Sequence, residues 1–175
     1  NVLPPDFETL LDSKKINADE KIRLTTLSIG AIIPDKFMEL AEKNEKCYAF
    51  YPHSIYQKYG VHLDEIKMDE WYDKLANDDE IEKKEINPRE LLTRIAQTQQ
   101  ESGYPYVVFI DSANKQHTLK DVGMIKMSNL CCEIFQYQTP SDIKGYGQVS
   151  DWGQDISCNL GSLNIANVMD NKDIE

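Results

Sequence analysis

Apolar positions along the chain fall into short blocks of different periodicity. Residues 24–33 are aliphatic and β-branched with no charge beyond the preceding Arg23. Such a run predicts a strand buried on both faces, as in a parallel sheet. Pro34 ends it, and Asp35 is expected to cap a short helix carrying Phe37, Met38, Leu40 and Ala41 on its apolar side. Residues 47–51 form a second apolar run, with Cys47 expected as a packed core thiol. Ile66, Met68, Trp71 and Leu75 give residues 64–75 the pattern of an amphipathic helix. Asn87-Pro88-Arg89-Glu90 is a helix start: Asn as cap, Pro at the first helical position, Glu three residues after the cap. Leu91, Leu92, Ile95 and Ala96 make its buried stripe, and the helix is expected to stop near Gly103. Residues 104–110 then read as a strand with Val107, Val108, Phe109 and Ile110 buried. Helix followed by strand, twice over, predicts an α/β architecture.

The remaining stretches are less patterned. Phe7, Leu10 and Leu11 allow one turn of helix near the start. Residues 77–85 alternate in charge and read as a solvated face. Residues 111–123 read as a polar loop with a surface His117, and residues 137–153 as a Gly-, Ser- and Pro-containing loop with Trp152 anchored against the body. Residues 156–168 are apolar enough for a strand, but Asn159, Asn164 and Asn167 then need partners.

Composition narrows the function classes. Apolar residues make up 41% and charged residues 28%, ordinary for a globular chain. No apolar run approaches the roughly 20 residues of a membrane helix, so no membrane partner is expected. The start lacks a basic region followed by an apolar core, so no secretory signal is expected, and the missing initiator Met suggests a piece of a longer chain. A net charge of −11 argues against nucleic-acid binding. Four cysteines at irregular spacing, with no C-x-x-C pair and three scattered histidines, predict neither a disulfide framework nor a metal site. A reducing, cytoplasmic setting fits.

The chemistry concentrates in Ser128-Asn129-Leu130-Cys131-Cys132-Glu133-Ile134. If this stretch is extended, Asn129, Cys131 and Glu133 share one face and Cys132 points away. An amide, a thiol and a carboxylate together suit work on a hydroxylated substrate. A second stretch, Asp155-Ile156-Ser157-Cys158-Asn159-Leu160-Gly161-Ser162-Leu163-Asn164, carries another cysteine.

The two stretches and their spacing resemble the catalytic subunit of ribonucleotide reductase, most closely its class Ib form. Asn17-Ala18-Asp19-Glu20-Lys21, Leu27-Ser28-Ile29-Gly30 and Glu101-Ser102-Gly103-Tyr104-Pro105-Tyr106 extend the resemblance over nearly the whole chain. It implies part of a ten-stranded α/β barrel. Residues 1–175 would hold the end of the first half-barrel, a finger loop at about 124–136 and the first strand of the second half at about 156–168. By the same resemblance Cys131 becomes a thiyl radical, Glu133 acts as general base, Asn129 holds the substrate, and Ser128 and Leu130 line it. Cys158 is half of a redox dithiol whose partner lies upstream of this sequence. Cys132 stands where Ser or Leu is expected, so its thiol is extra.

The implied substrate is a ribonucleoside diphosphate. The implied partners are a small radical-generating subunit and a glutaredoxin- or thioredoxin-like reductant, with a homodimer of the complete subunit. No cofactor is expected on this segment: the radical comes from the small subunit's metal cofactor, and nucleotide effectors bind elsewhere. The small subunit's tail is expected to dock around Phe37, Met38 and Ala41. The segment alone should be inactive. The competing readings are a non-catalytic structural segment of a split or degenerate reductase, and a glycyl-radical-type barrel, against which the Asn-x-Cys-x-Glu set and Cys158 argue.

Overall fold

The structure is a computed structural model that describes residues 1–170; the last five residues of the expected 1–175 domain lie outside the described residues. The chain divides into two compact units, Asn1–Tyr137 and Gln138–Glu175, rather than the single domain expected.

In the first unit, β1 (Gly30–Ile33) pairs in parallel with β4 (Tyr106–Phe109), with Gly30 opposite Tyr106. Parallel neighbours need a long crossover, and here it holds α2 (Asp35–Lys43), β2 (Cys47–Phe50), α3 (Pro52–Tyr59), α4 (Met68–Ala76), β3 (Lys83–Ile86) and α5 (Pro88–Ser102). β2 and β3 form an antiparallel pair. The N-terminal residues bridge the two sheets: Val2 N–H donates to the Ile32 carbonyl at 3.0 Å, and Phe50 N–H to the Leu3 carbonyl at 2.8 Å. Val2 and Leu3 are accordingly buried, together with Phe7 and Leu11 of α1 (Phe7–Asp12). The core runs on through Ile33, Phe37, Phe50, Ile55, Leu75 and Ile95.

α5 forms as its sequence dictates. Asn87 Oδ1 accepts from Glu90 N–H at 3.1 Å, Pro88 opens the helix, and Gly103 closes it at φ +77°, a conformation that favours glycine. Cys47 is fully buried, and burial pushes its thiol up from the ordinary range. At α2 the cap differs from expectation. Pro34 takes the cap position, Asp35 is the first helical residue, and the Asp35 N–H donates to Asp111 Oδ2 at 2.7 Å. The cap is therefore supplied by a carboxylate 76 residues away.

Four other expectations are corrected. The strand over 24–33 is confined to β1, because Leu24 and Leu27 carbonyls turn aside to accept from Lys14 Nζ. Residues 83–85, read as part of a solvated face, keep Lys84 and Glu85 exposed but form with Ile86 the strand β3 against β2. Part of the polar loop 111–123 is helical, as α6 (Ile110–Gln116), where Asn114 ties the Ile110 and Ile125 carbonyls together. Phe37 and Ala41, expected on a docking surface, are 0% and 3% exposed core residues; α2 packs them inward, and Met38 is half-buried.

The second unit holds a hairpin, β5 (Asp142–Gly145) with β6 (Gln148–Asp151), whose turn uses Gly147 at φ +69°. Gly153 N–H donates to Ser141 Oγ and Gln154 N–H to Thr139 Oγ1, closing the segments that flank it. Trp152 is 78% exposed, not anchored. The strand expected at about 156–168 is absent from the structure. Residues 152–164 have no regular secondary structure, and α7 (Ile165–Asp170) follows. Asn164 explains the change: its Oδ1 accepts from Asn167 N–H at 3.2 Å, so the amide caps a helix instead of facing a ladder.

The α/β class stands, in three two-stranded sheets. Among the described residues no sheet closes into a barrel, and no helix is long and apolar enough to cross a membrane.

Candidate active site

Between Gly123 and Tyr137 the first unit has no helix or strand; Ile125 ties this segment down, and Lys126 pairs with Asp64 and Glu65 at 3.3 Å. Ile125 is 1% exposed, and its N–H donates to Asn114 Oδ1 at 2.7 Å. Beyond that anchor the chain reaches the Asn129–Glu133 stretch, which is a tight turn and not the extended segment expected. Cys132 N–H donates to the Asn129 carbonyl at 3.1 Å, and Cys132 takes φ +59° in the left-handed region.

The physical cause is the Asn129 side chain. Its Oδ1 accepts from Glu133 N–H and Ile134 N–H, both at 3.1 Å. The Ser128 hydroxyl donates to the Ile134 carbonyl at 2.6 Å and lies 3.2 Å from Asn129 Oδ1. A side-chain amide that captures two backbone donors ahead of it replaces the pairing a strand would offer. Ser128 and Asn129 are thus half-buried builders of the turn. The Asn129 amide can still donate through its NH2.

The turn places Asn129, Cys131 and Glu133 within one five-residue bend, with the Asn129 side chain bonded to the Glu133 backbone. Cys131 and Glu133 are exposed, and Leu130 at the tip is 66% exposed. Cys132 is half-buried and faces the sheet: its Sγ lies 3.0 Å from where a side-chain carbon on Gly30 would stand. Burial, then the Glu133 and Cys131 charges, raises the Cys132 thiol above its ordinary range. Cys132 therefore stays protonated at neutral pH and is a poor nucleophile. Tyr106, opposite Gly30 on β4, is likewise raised, first by Tyr104 and further by Cys131 and Cys132. Its ring packs edge-on against Tyr104 at 5.2 Å, and the Tyr104 hydroxyl lies 2.9 Å from Ser28 Oγ. Gly30 and Tyr106 stand in stretches that carry the family resemblance, but the sequence reading gives them no role; a glycine inside an aliphatic strand run was the signal.

Cys158 belongs to the second unit, on an exposed irregular segment. His117 is half-buried, and neither ring nitrogen has a hydrogen-bond partner among the described residues. One acidic trio, Asp35, Asp69 and Asp111, has carboxylate oxygens within 4.8 Å of one another. Asp111 there caps α2 and Asp35 pairs with Lys115 at 2.9 Å, which accounts for the grouping structurally.

Comparison with known proteins bears on this arrangement directly. The family described as ribonucleotide reductase, barrel domain, matches residues 1–175. The ribonucleoside-diphosphate reductase subunit alpha of Bacillus subtilis (strain 168) is 50% identical over 175 residues, covering 100% of this chain and 25% of that protein. The subunit alpha of Mycoplasma genitalium is 45% identical over 166 residues, covering 95% of this chain and 23% of its own length. The Synechocystis subunit alpha is 33% identical over 173 residues, covering 93% and 21%. The chain spans about a quarter of the length of these relatives. With a match along its whole length, the chain belongs to the ribonucleotide reductase family, in the barrel domain of the large subunit.

Proposed function

We propose that this chain is the part of a class Ib ribonucleotide reductase large subunit that carries the radical cysteine. In this reading residues 124–136 are the finger loop of a ten-stranded α/β barrel completed by the rest of the subunit. The observation that carries the reading is the turn itself. It exposes Cys131 in a bend whose backbone Asn129 Oδ1 fixes, with Asn129 and Glu133 two residues to either side.

The chemistry follows from those groups. The Cys131 thiyl radical takes the hydrogen atom from C3′ of a ribonucleoside diphosphate, leaving a thiol and a carbon radical. Glu133 accepts the proton of the 3′-hydroxyl, which helps the 2′-hydroxyl leave as water. Asn129 donates through its NH2 to a substrate oxygen, and with Ser128 and Leu130 it holds the ribose against Cys131. Cys158 and a cysteine outside residues 1–175 supply two electrons and two protons, one leaving with the 2′-hydroxyl as water and one going to C2′, and end as a disulfide, while Glu133 returns its proton to the 3′-oxygen and Cys131 its hydrogen atom to C3′. The radical originates at the metal cofactor of a small partner subunit. A glutaredoxin- or thioredoxin-like protein reduces the disulfide, and the complete subunit works in the cytoplasm as a homodimer under effectors bound elsewhere.

The test is a single turnover of the complete subunit without external reductant, followed by peptide mapping. Cys158 should be found bridged to a cysteine outside this chain, with Cys131 free. A Cys131–Cys158 bridge would sink the scheme, as would turnover that leaves Cys158 reduced.

Docking of the small subunit's tail on α2 falls to Met38, since Phe37 and Ala41 are buried. Apolar helix surface of this kind can receive a peptide. In the complete subunit Met38→Glu should weaken tail binding by more than about tenfold at unchanged thermal stability, a loss of about 1.4 kcal/mol or more. Unchanged affinity, measured by competition with the tail peptide, would remove α2 from the docking surface.

A further inference from the structure

The Asn129 amide explains how the turn closes on itself but not how it is held against the body of the first unit. Ile125 and Lys126 anchor the chain ahead of the turn, and within the turn Cys132 comes against β1. Gly30 has no positive φ, so the backbone of β1 does not itself demand glycine there. What demands it is space. A side-chain carbon at position 30 would stand 3.0 Å from Cys132 Sγ, and its next neighbour, the Tyr106 carbonyl oxygen, is 3.9 Å away. Carbon and sulfur ordinarily need more room than that, and the sulfur has limited freedom to retreat. Cys132 sits at φ +59° with its N–H committed to the Asn129 carbonyl. Its two neighbours in sequence, Cys131 and Glu133, are the exposed groups of the proposed chemistry.

We infer that Gly30 and Cys132 are positioning residues for Cys131: the Cys132 sulfur rests over the bare α-carbon of Gly30, and this seat fixes the turn that presents Cys131. The inference rests on the functional reading above. It assigns the extra thiol a packing role, with no part in electron transfer. Displacing the sulfur by a few tenths of an ångström shifts Cys131 and Glu133 together, whereas the substrate is bound by other parts of the barrel as well. The effect therefore falls on kcat and leaves KM nearly unchanged.

The experiment is a double-mutant cycle in the complete subunit. Gly30→Ala should lower kcat by about tenfold, given how steeply rate depends on the placement of reacting groups. Cys132→Ala should lower it by about threefold, because the seat is emptied. The Gly30→Ala/Cys132→Ala double variant exchanges the sulfur for a methyl group on the facing strand. It should recover to within about twofold of Cys132→Ala alone. A second readout needs no turnover: the rate at which iodoacetamide alkylates Cys131, mapped by peptide, should change by about threefold in Gly30→Ala and revert in the double variant. If Gly30→Ala does not accumulate folded, the double variant decides, since a folded, active double supports the seat and an unfolded one overturns it. A double variant no better than Gly30→Ala, or a Cys131 alkylation rate indifferent to both substitutions, also overturns it. Absence of nucleotide reduction by the unsubstituted subunit would instead overturn the functional reading, leaving the alkylation cycle to judge the seat.

Discussion

In the complete subunit, Cys131→Ser is expected to abolish nucleotide reduction, by at least about a thousandfold, with KM unchanged as far as it can be measured. An O–H bond is much stronger than an S–H bond, so a hydroxyl cannot be converted to the hydrogen-abstracting radical under the same driving force. Cys132→Ser should retain activity within about threefold, because a hydroxyl still fills the space over Gly30 and the thiol takes no part in the chemistry. The adjacent cysteines thus provide their own control. They share local sequence, yet one is exposed at the tip and the other is half-buried with its thiol raised by burial. Steady-state reduction of a ribonucleoside diphosphate by both variants, with the small subunit in excess, makes the comparison. Comparable losses from the two substitutions would overturn the assignment of Cys131.

The geometric warrant first given for that assignment does not hold. Side-chain alternation in an extended segment put Asn129, Cys131 and Glu133 on one face. The structure instead bends the chain into a turn here, closed by the Asn129 carbonyl and side chain. The signal for the turn was present: asparagine is a residue that captures backbone donors ahead of it in sequence. Reading Asn129 only as a substrate ligand hid its second use. Asn164 repeats the lesson, since an amide read as a buried strand residue in search of a partner turns out to cap α7.

Other elements were legible because their causes are local. α5 carries its cap at Asn87, its opening Pro88 and its closing Gly103 within one continuous stretch, and the structure uses all three. β1 and β4 were found as apolar runs, though trimmed to four residues each, and of the four residues expected buried at β4 only Val108 is: Phe109 is 47% exposed and Ile110 opens α6. What could not be read is what distant residues decide. The Asp111 cap on α2, the Asn114 tie to Ile125 and the seat of Cys132 on Gly30 join positions that sequence periodicity does not connect. β3 is a further case, because Lys83, Lys84 and Glu85 pattern as solvent-facing and become a strand only through pairing with β2.

The second large effect is expected at Phe37. Its side chain is 0% exposed where α2 meets the core, so Phe37→Ala removes a buried ring that the surrounding helices cannot wholly replace. Truncations of this kind cost about 3–5 kcal/mol, through lost transfer free energy and the cavity left behind. Hydrogen exchange of the α2 and β1 amides in the complete subunit should report that loss as easier local opening, together with a lower melting temperature. The Met38→Glu variant should show neither change, because Met38 is half-buried at the rim of the same helix. The pair therefore separates two roles that the apolar pattern of α2 left merged. If Phe37→Ala weakens tail binding while costing less than about 1 kcal/mol of local stability, Phe37 belongs to the docking surface and its burial in this chain is relieved in the complex. If it destabilises α2 as expected, any accompanying loss of tail affinity follows from the opened helix. The direct contact then rests with Met38.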